Sequence, residues 1–146
     1  MEIFMYVEPE LKNWMDCGSK TAKKYTWNEL GLDGKIIDVV MHGGSDLLVV
    51  LTEKGSVYGM GQKGKLGIGE NSSSIQHSFI KLNLENIISI TNTKEAIIAI
   101  NNRGQVFGTG NNLYGVLGRW KGEDRGSSNS RYRTAINWVE CPELEI

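Results

Sequence analysis

A chain of 146 residues is long enough to bury one hydrophobic core, and 40% hydrophobic with 23% charged residues is the composition of a folded globular domain. A formal net charge of −1 excludes a global pull toward nucleic acid or anionic lipid, so any electrostatic contact must be local. Eighteen glycines against two prolines point to many tight backbone positions rather than a linker, because the glycines are interleaved with apolar residues.

The N-terminus carries Glu2 and an apolar run of only Ile3–Val7. It lacks the basic start and long apolar region of a secretory signal, and no stretch approaches membrane-spanning length. The expectation is an intracellular protein, cytoplasmic or nuclear, not secreted and without a membrane role. Cys17 and Cys141 near the two ends then read as reduced thiols. Residues 1–34 read as a capping or docking segment, in which Tyr25–Leu32 forms the end of a preceding structural unit.

From residue 35 onward the chain repeats itself. Gly55-Ser-Val-Tyr-Gly-Met-Gly61 returns as Gly104-Gln-Val-Phe-Gly-Thr-Gly110. Leu47–Leu51 returns as Ala96–Ile100, and Ile36–Val39 as Ile87–Ile90. Self-similarity at a spacing near 50 marks a repeat architecture. One unit spans 35–84 and a second 85–146. Each reads as four short strands: Ile36–Met41, then the apolar run Leu47–Leu51, then Ser56–Gly59 returning from a hairpin loop that ends in Gly55, then Phe79–Leu82. Alternation puts Val57 and Tyr58 on opposite faces. Ala135–Val139 supplies the last strand of the second unit. The repeat glycines are Gly55, Gly59, Gly61, Gly64 and Gly67, with Gly104, Gly108, Gly110, Gly115 and Gly118 in the second copy. Gly59, Gly61, Gly108 and Gly110 are expected where neighbouring backbones approach too closely for a side chain.

Within residues 57–69 two nucleotide-binding signatures overlap, Gly59-x-Gly61-x-x-Gly64 and Gly59-x-x-x-x-Gly64-Lys65. Both need a helix after the glycines to present its N-terminus to phosphate. Lys-Leu-Gly-Ile-Gly-Glu-Asn offers no helical periodicity, and Leu66 stands where a P-loop needs Ser or Thr. The repeat explains these glycines better than a phosphate does.

The stretch Val57-Tyr-Gly-x-Gly-x-x-Gly-x-Leu-Gly67, with its expanded second copy Val106–Gly118, resembles the repeat of the regulator of chromosome condensation. The resemblance covers residues 35 to 140. It departs from the family pattern at Gly44-Ser-Asp-Leu47 and Thr93-Lys-Glu-Ala96, where relatives carry Gly-x-x-His-Ser, and at Tyr58 and Phe107, where Trp is usual. It implies an all-β fold, a partial, open β-propeller of two to three four-stranded blades, too short to close a seven-bladed ring. Such an arc leaves blade faces without neighbours. The expected role is a non-catalytic protein-interaction module, a small component of a larger complex, with a protein partner or self-association covering the open faces. Two alternatives stand beside it. One is an RNA-contacting subunit of a ribonucleoprotein; the other is guanine-nucleotide exchange on a Ran-like GTPase, or chromatin binding, as the resemblance implies.

The candidate partner-binding residues are Arg119, Trp120, Lys121, Arg125, Arg131, Tyr132 and Arg133, in an extended loop at 119–133. Five cations against Glu123 and Asp124 leave a local charge of +3. Arginine beside aromatics suits a protein hot spot or a single-stranded RNA platform, and a solvated polar loop accounts for the same composition. No metal or cofactor site is expected, since His42, His77 and the cysteines lack ligand spacing. No catalytic residue is expected either: Gly-x-Ser-x-Gly is missing, and Asp46 and Glu95 read as turn residues. Trp14, Trp27 and Trp138 read as packing anchors.

Overall fold

A computed structural model describes residues 3–7, 21–42, 46–70, 72–93, 96–111 and 134–142. The described residues are all-β, with no α-helix among them. Ten strands run in chain order: β1 Ile3–Val7, β2 Thr21–Tyr25, β3 Ile36–His42, β4 Leu47–Thr52, β5 Val57–Gln62, β6 Ile75–Lys81, β7 Ile87–Asn92, β8 Ala96–Asn101, β9 Val106–Asn111 and β10 Thr134–Glu140. They form two four-stranded antiparallel meanders, β3-β4-β5-β6 and β7-β8-β9-β10, and a separate β1-β2 pair. The sheets are two propeller blades, and they do not close a ring.

The apolar run of β4 is buried on both faces, because each face has its own partner. Leu47, Val49 and Leu51 point into the interface between the blades, where they meet Ile97 and Ala99 of β8 and Ile87 and Ile90 of β7. Leu48 and Val50 point the other way, onto Leu32, Tyr58 and Met60, with Trp27 and Leu30 packed against them. Val57 and Tyr58 divide between the same two clusters, as alternation requires. The outer face of the second blade gathers Ala96, Val106, Ala135 and Cys141.

The two blades share their irregularities as well as their strands. The pairing of β3 with β4 slips between Ile36 and Asp38, and that of β7 with β8 slips between Ile87 and Ser89. The bulged residue is thus Ile37 in one blade and Ile88 in the other. The outer strands slip at matching places too, opposite Gly59–Gly61 in β5 and Gly108–Gly110 in β9. Backbone bonds close each blade at its end in the same way, from Leu82 to the Val57 carbonyl and from Cys141 to the Val106 carbonyl, both at 2.8 Å.

Three details differ from the reading of the sequence. Of Tyr25–Leu32 only Tyr25 is in a strand; the rest is a turn closed by the bond from Leu32 N–H to the Trp27 carbonyl, laid over the first blade. The third strand runs on to Gln62 because its glycines are accepted within the ladder. The fourth begins at Ile75, six residues before Lys81, since Gln62 pairs with Ile75 and carries the sheet past the expected loop.

Gly64 starts no helix. One 3-10 turn, Lys63–Lys65, interrupts the chain after β5 and is followed by Gly67 and Gly69 at positive φ. This segment fastens the blades together. Gly69 N–H donates to the Ile136 carbonyl at 2.8 Å, Ile68 bridges to Asn137, and the Trp138 indole donates to the Leu66 carbonyl at 3.1 Å. A Cβ on Gly67 would lie 2.6 Å from the Trp138 ring, at a φ of +70°. The close approach and the backbone conformation both require glycine there.

Candidate functional site

None of the seven candidate loop residues, Arg119, Trp120, Lys121, Arg125, Arg131, Tyr132 and Arg133, falls among the described residues. Gly115, Gly118, Cys17, Trp14 and Glu95 also lie outside them. Gly61 sits at φ +117° with its α-carbon pressed on the Asp46 carbonyl, where a Cβ would come within 1.7 Å of the oxygen. Gly59 faces Leu66, and Gly64 backs onto the Ser72 backbone. Gly55 and Gly104 close the two hairpins at the same φ of +79°, and Gly110 matches Gly61 at +114°. Gly108 lies buried in β9. Asp46 is a turn residue with φ +46°, its carbonyl accepting from Gln62 N–H. His77 is exposed on β6.

Among the described residues three large apolar side chains stand in solvent: Ile37 at 53% exposure, Met41 at 61% and Ile88 at 60%. All three are on β3 or β7, the edge strands where the two sheets lie side by side. The exposure of Ile37 and Ile88 follows from the shared bulge, which turns them away from the interblade core that takes Ile87 and Ile90. Sequence reading passed over them. The signal was the doublets Ile36-Ile37 and Ile87-Ile88, which break strand alternation at equivalent places. An edge strand carrying exposed isoleucine is a natural contact surface.

At the hairpin end of the first blade Asp33 accepts hydrogen bonds from the hydroxyls of Thr52, at 2.7 Å, and Ser56. Burial alone would raise its pKa, but the Ser56 and Thr52 bonds and the nearby Lys81 charge together hold it below its ordinary value. Thr52 and Ser56 are fully or nearly buried, so this carboxylate serves to satisfy them. In the second blade Asn101 and Gln105 occupy the matching positions. Asn101 Oδ1 accepts from the backbone N–H of Arg103 and Gln105, and its amide donates to Gln105 Oε1 at 2.8 Å.

Nothing in these arrangements assembles reacting groups. Among the described residues no three His, Cys, Asp or Glu side chains converge on a point that could hold a metal ion. No described helix is long and apolar enough to cross a membrane. Cys141 is a free, buried thiol, its pKa pushed up to about 11 by burial and by the Glu140 charge.

The fold itself defines the class. Over 92% of its length the chain superposes on human WBSCR16, with a TM-score of 0.60, 22% identity and 30% of that chain covered. Over 95% it superposes on the propeller in the structure of Kap60 bound to yeast RCC1 (Prp20), with a TM-score of 0.65, 15% identity and 31% of that chain covered. The structure of Prp20p from Saccharomyces cerevisiae, described with its binding to Gsp1p and histones, gives 0.61 and 15%, with 95% of this chain and 32% of that one covered. These are propellers of the regulator of chromosome condensation type, and the chain has the fold of part of one. It spans about a third of the length of the structures it matches. No family model matches the sequence, and no curated protein matches it as a relative.

Proposed function

We propose that the chain is a non-catalytic protein-interaction module of the chromosome condensation regulator type, working as a small component of a larger complex inside the cell, in cytoplasm or nucleus. The carrying observation is the bulged edge of β3 and β7, with Ile37, Met41 and Ile88 in water at a place where two blades present neighbouring strand edges. Covering the half of each of these side chains that still meets water is worth about 1 kcal/mol apiece. Residues 1–34 act as the docking segment, and 35–84 and 85–146 as the two repeats. A protein partner or a second copy covers the open blade faces. The cationic loop from Arg119 to Arg133 supplies a further contact for an acidic surface.

Similar folds bind proteins: the solved relatives include RCC1 bound to Kap60, and Prp20p described with Gsp1p and histones. Exchange on a Ran-like GTPase and RNA contact through the loop at 119–133 are the competing readings. A pull-down with tagged full chain, run beside the Ile37→Asp/Ile88→Asp variant, separates them. The module reading expects one defined partner, retained by the parent and lost by the variant, with release of labelled GDP from a Ran-like GTPase unchanged. Accelerated GDP release would replace it with exchange. Retention of RNA that Arg125→Ala, Arg131→Ala and Arg133→Ala abolish would replace it with the ribonucleoprotein reading.

A further inference from the structure

Each blade has two faces, and the contact between the blades shows what a face of each kind takes. The first blade offers Leu47, Val49 and Leu51 of β4, Val57 of β5 and Leu82, each 3% exposed or less. They are closed by Ile87, Ile90, Ile97 and Ala99, from the two inner strands of the second blade.

Strand register carries the same receiving face onto the second blade. Val49 pairs with Gly59 and Ile98 with Gly108; Leu51 pairs with Val57 and Ile100 with Val106; Leu47 pairs with Gly61 and Ala96 with Gly110. Leu82 and Cys141 make the same closing bond, and Ile80 and Val139 stand at matching places in the outer strands. The second blade thus gathers Ala96, Ile98, Ile100, Val106, Val139 and Cys141 into one cluster. Among the described residues, none outside that blade joins it. Burial there stops short. Ile98 and Ile100 are only partly buried where Val49 and Leu51 are shut from water. Thr91, at the place of Val40, is exposed.

The opposite face of the first blade is already closed. Leu48 and Val50, the counterparts of Ile97 and Ala99, lie buried with Leu32, and Trp27 and Leu30 pack against them. A second copy therefore has no free face of the kind that docked the second blade on the first.

We infer that the outer face of the second blade docks a further blade of the same type, carried by a partner polypeptide. This rests on the interaction-module reading and names its partner's chemistry: an antiparallel sheet with an aliphatic row on its two inner strands. The contact continues an interface that the fold already contains, one blade further along the stack. Thr91 leaves the inner strand polar, so the apolar contact falls on β8, β9 and β10.

Two measurements test it. In the first, the probe is a third blade made from this chain, residues 85–146 appended once more to the full chain. Stacked repeats gain stability through each neighbouring interface, so the extended protein is expected to unfold in urea as one transition, with a midpoint above the parent's. Ile98→Lys in the original second repeat is expected to remove that gain, by placing a charge in the new interface, while moving the parent's own midpoint little. An appended blade that unfolds separately, or a gain that survives Ile98→Lys, would overturn the proposal.

The second places a diazirine photo-crosslinking residue at position 98 of the full chain, in the cells that make it, with a control at His77, exposed on β6. Position 98 is expected to cross-link to an aliphatic strand of another chain that carries the same glycine-punctuated repeat, and position 77 is not. No cross-link, or cross-links confined to this chain, to a second copy, to a protein without the repeat or to nucleic acid, would overturn it. The Ile37→Asp/Ile88→Asp variant is expected to keep the cross-link, so failure at the β3 and β7 edge and failure here are read separately.

Discussion

Trp138, on the last strand of the second blade, donates its indole hydrogen to the carbonyl of Leu66, 72 residues earlier in the glycine-rich loop of the first. Its place in β10 is that of Phe79 in β6, each one residue before the strand regains its register. Phe79 packs toward the turn at Tyr25–Leu32, and Trp138 toward the neighbouring blade. The same aromatic position therefore fastens each sheet to what precedes it in the chain.

Gly67→Ala is expected to destabilise the protein by about 1–3 kcal/mol, because its methyl group meets the Trp138 ring and its backbone is left-handed. Trp138→Phe keeps most of the packing and loses the indole bond, at about 1 kcal/mol. Urea unfolding monitored by circular dichroism measures both. Wild-type midpoints for the two variants would contradict the clasp.

Leu66 is fully buried between the blades. Leu66→Ala is expected to cost about 2–5 kcal/mol, the range for emptying a well-packed aliphatic site. The same unfolding experiment checks it, with an unchanged denaturant slope showing that the native state is still compact.

Asp33 has its pKa lowered from 3.8 in the folded chain. Burial opposes the shift, but hydrogen bonds from Ser56 and Thr52, with the Lys81 charge, outweigh it. A depressed carboxylate binds its proton more weakly when folded, so its contribution is present above its unfolded pKa and lost as pH falls through the lower folded value. Stability measured from pH 7 downward is expected to fall below about pH 4, and Asp33→Asn is expected to flatten that part of the curve. Identical profiles for the two proteins would show that Asp33 is not the group responsible.

Cys141 is fully buried, with its pKa raised to about 11, so it remains a protonated thiol at neutral pH. Peptide mapping after brief alkylation of the native protein is expected to find Cys141 unmodified, and fully modified once the chain is unfolded. Rapid native labelling at that position would place it at the surface.

The blade architecture was legible because a repeat states its pattern twice. Leu47–Leu51 and Ala96–Ile100 are too short for an amphipathic helix, and the hairpin glycines at 55 and 104 punctuate them identically. Apparent phosphate-binding glycines could be set aside because nothing helical follows Gly64. What stayed hidden depends on register. A one-residue bulge decides whether Ile37 and Ile88 face the core or water, and no single strand's composition reports where its partner slips. The Asp33 network was equally hidden, since its partners Thr52 and Ser56 lie 19 and 23 residues away and look like ordinary turn residues. The loop from Arg119 to Arg133 stands out in the sequence by composition alone and lies beyond the described residues.

The most direct measurement is sedimentation velocity of the purified chain across micromolar concentrations, beside the Ile37→Asp/Ile88→Asp variant. An open pair of blades with an apolar inner edge is expected to sediment as species heavier than its 16.2 kDa monomer, in proportions that rise with concentration and fall in the variant. A stable, dispersed 16.2 kDa monomer at every concentration would contradict the account.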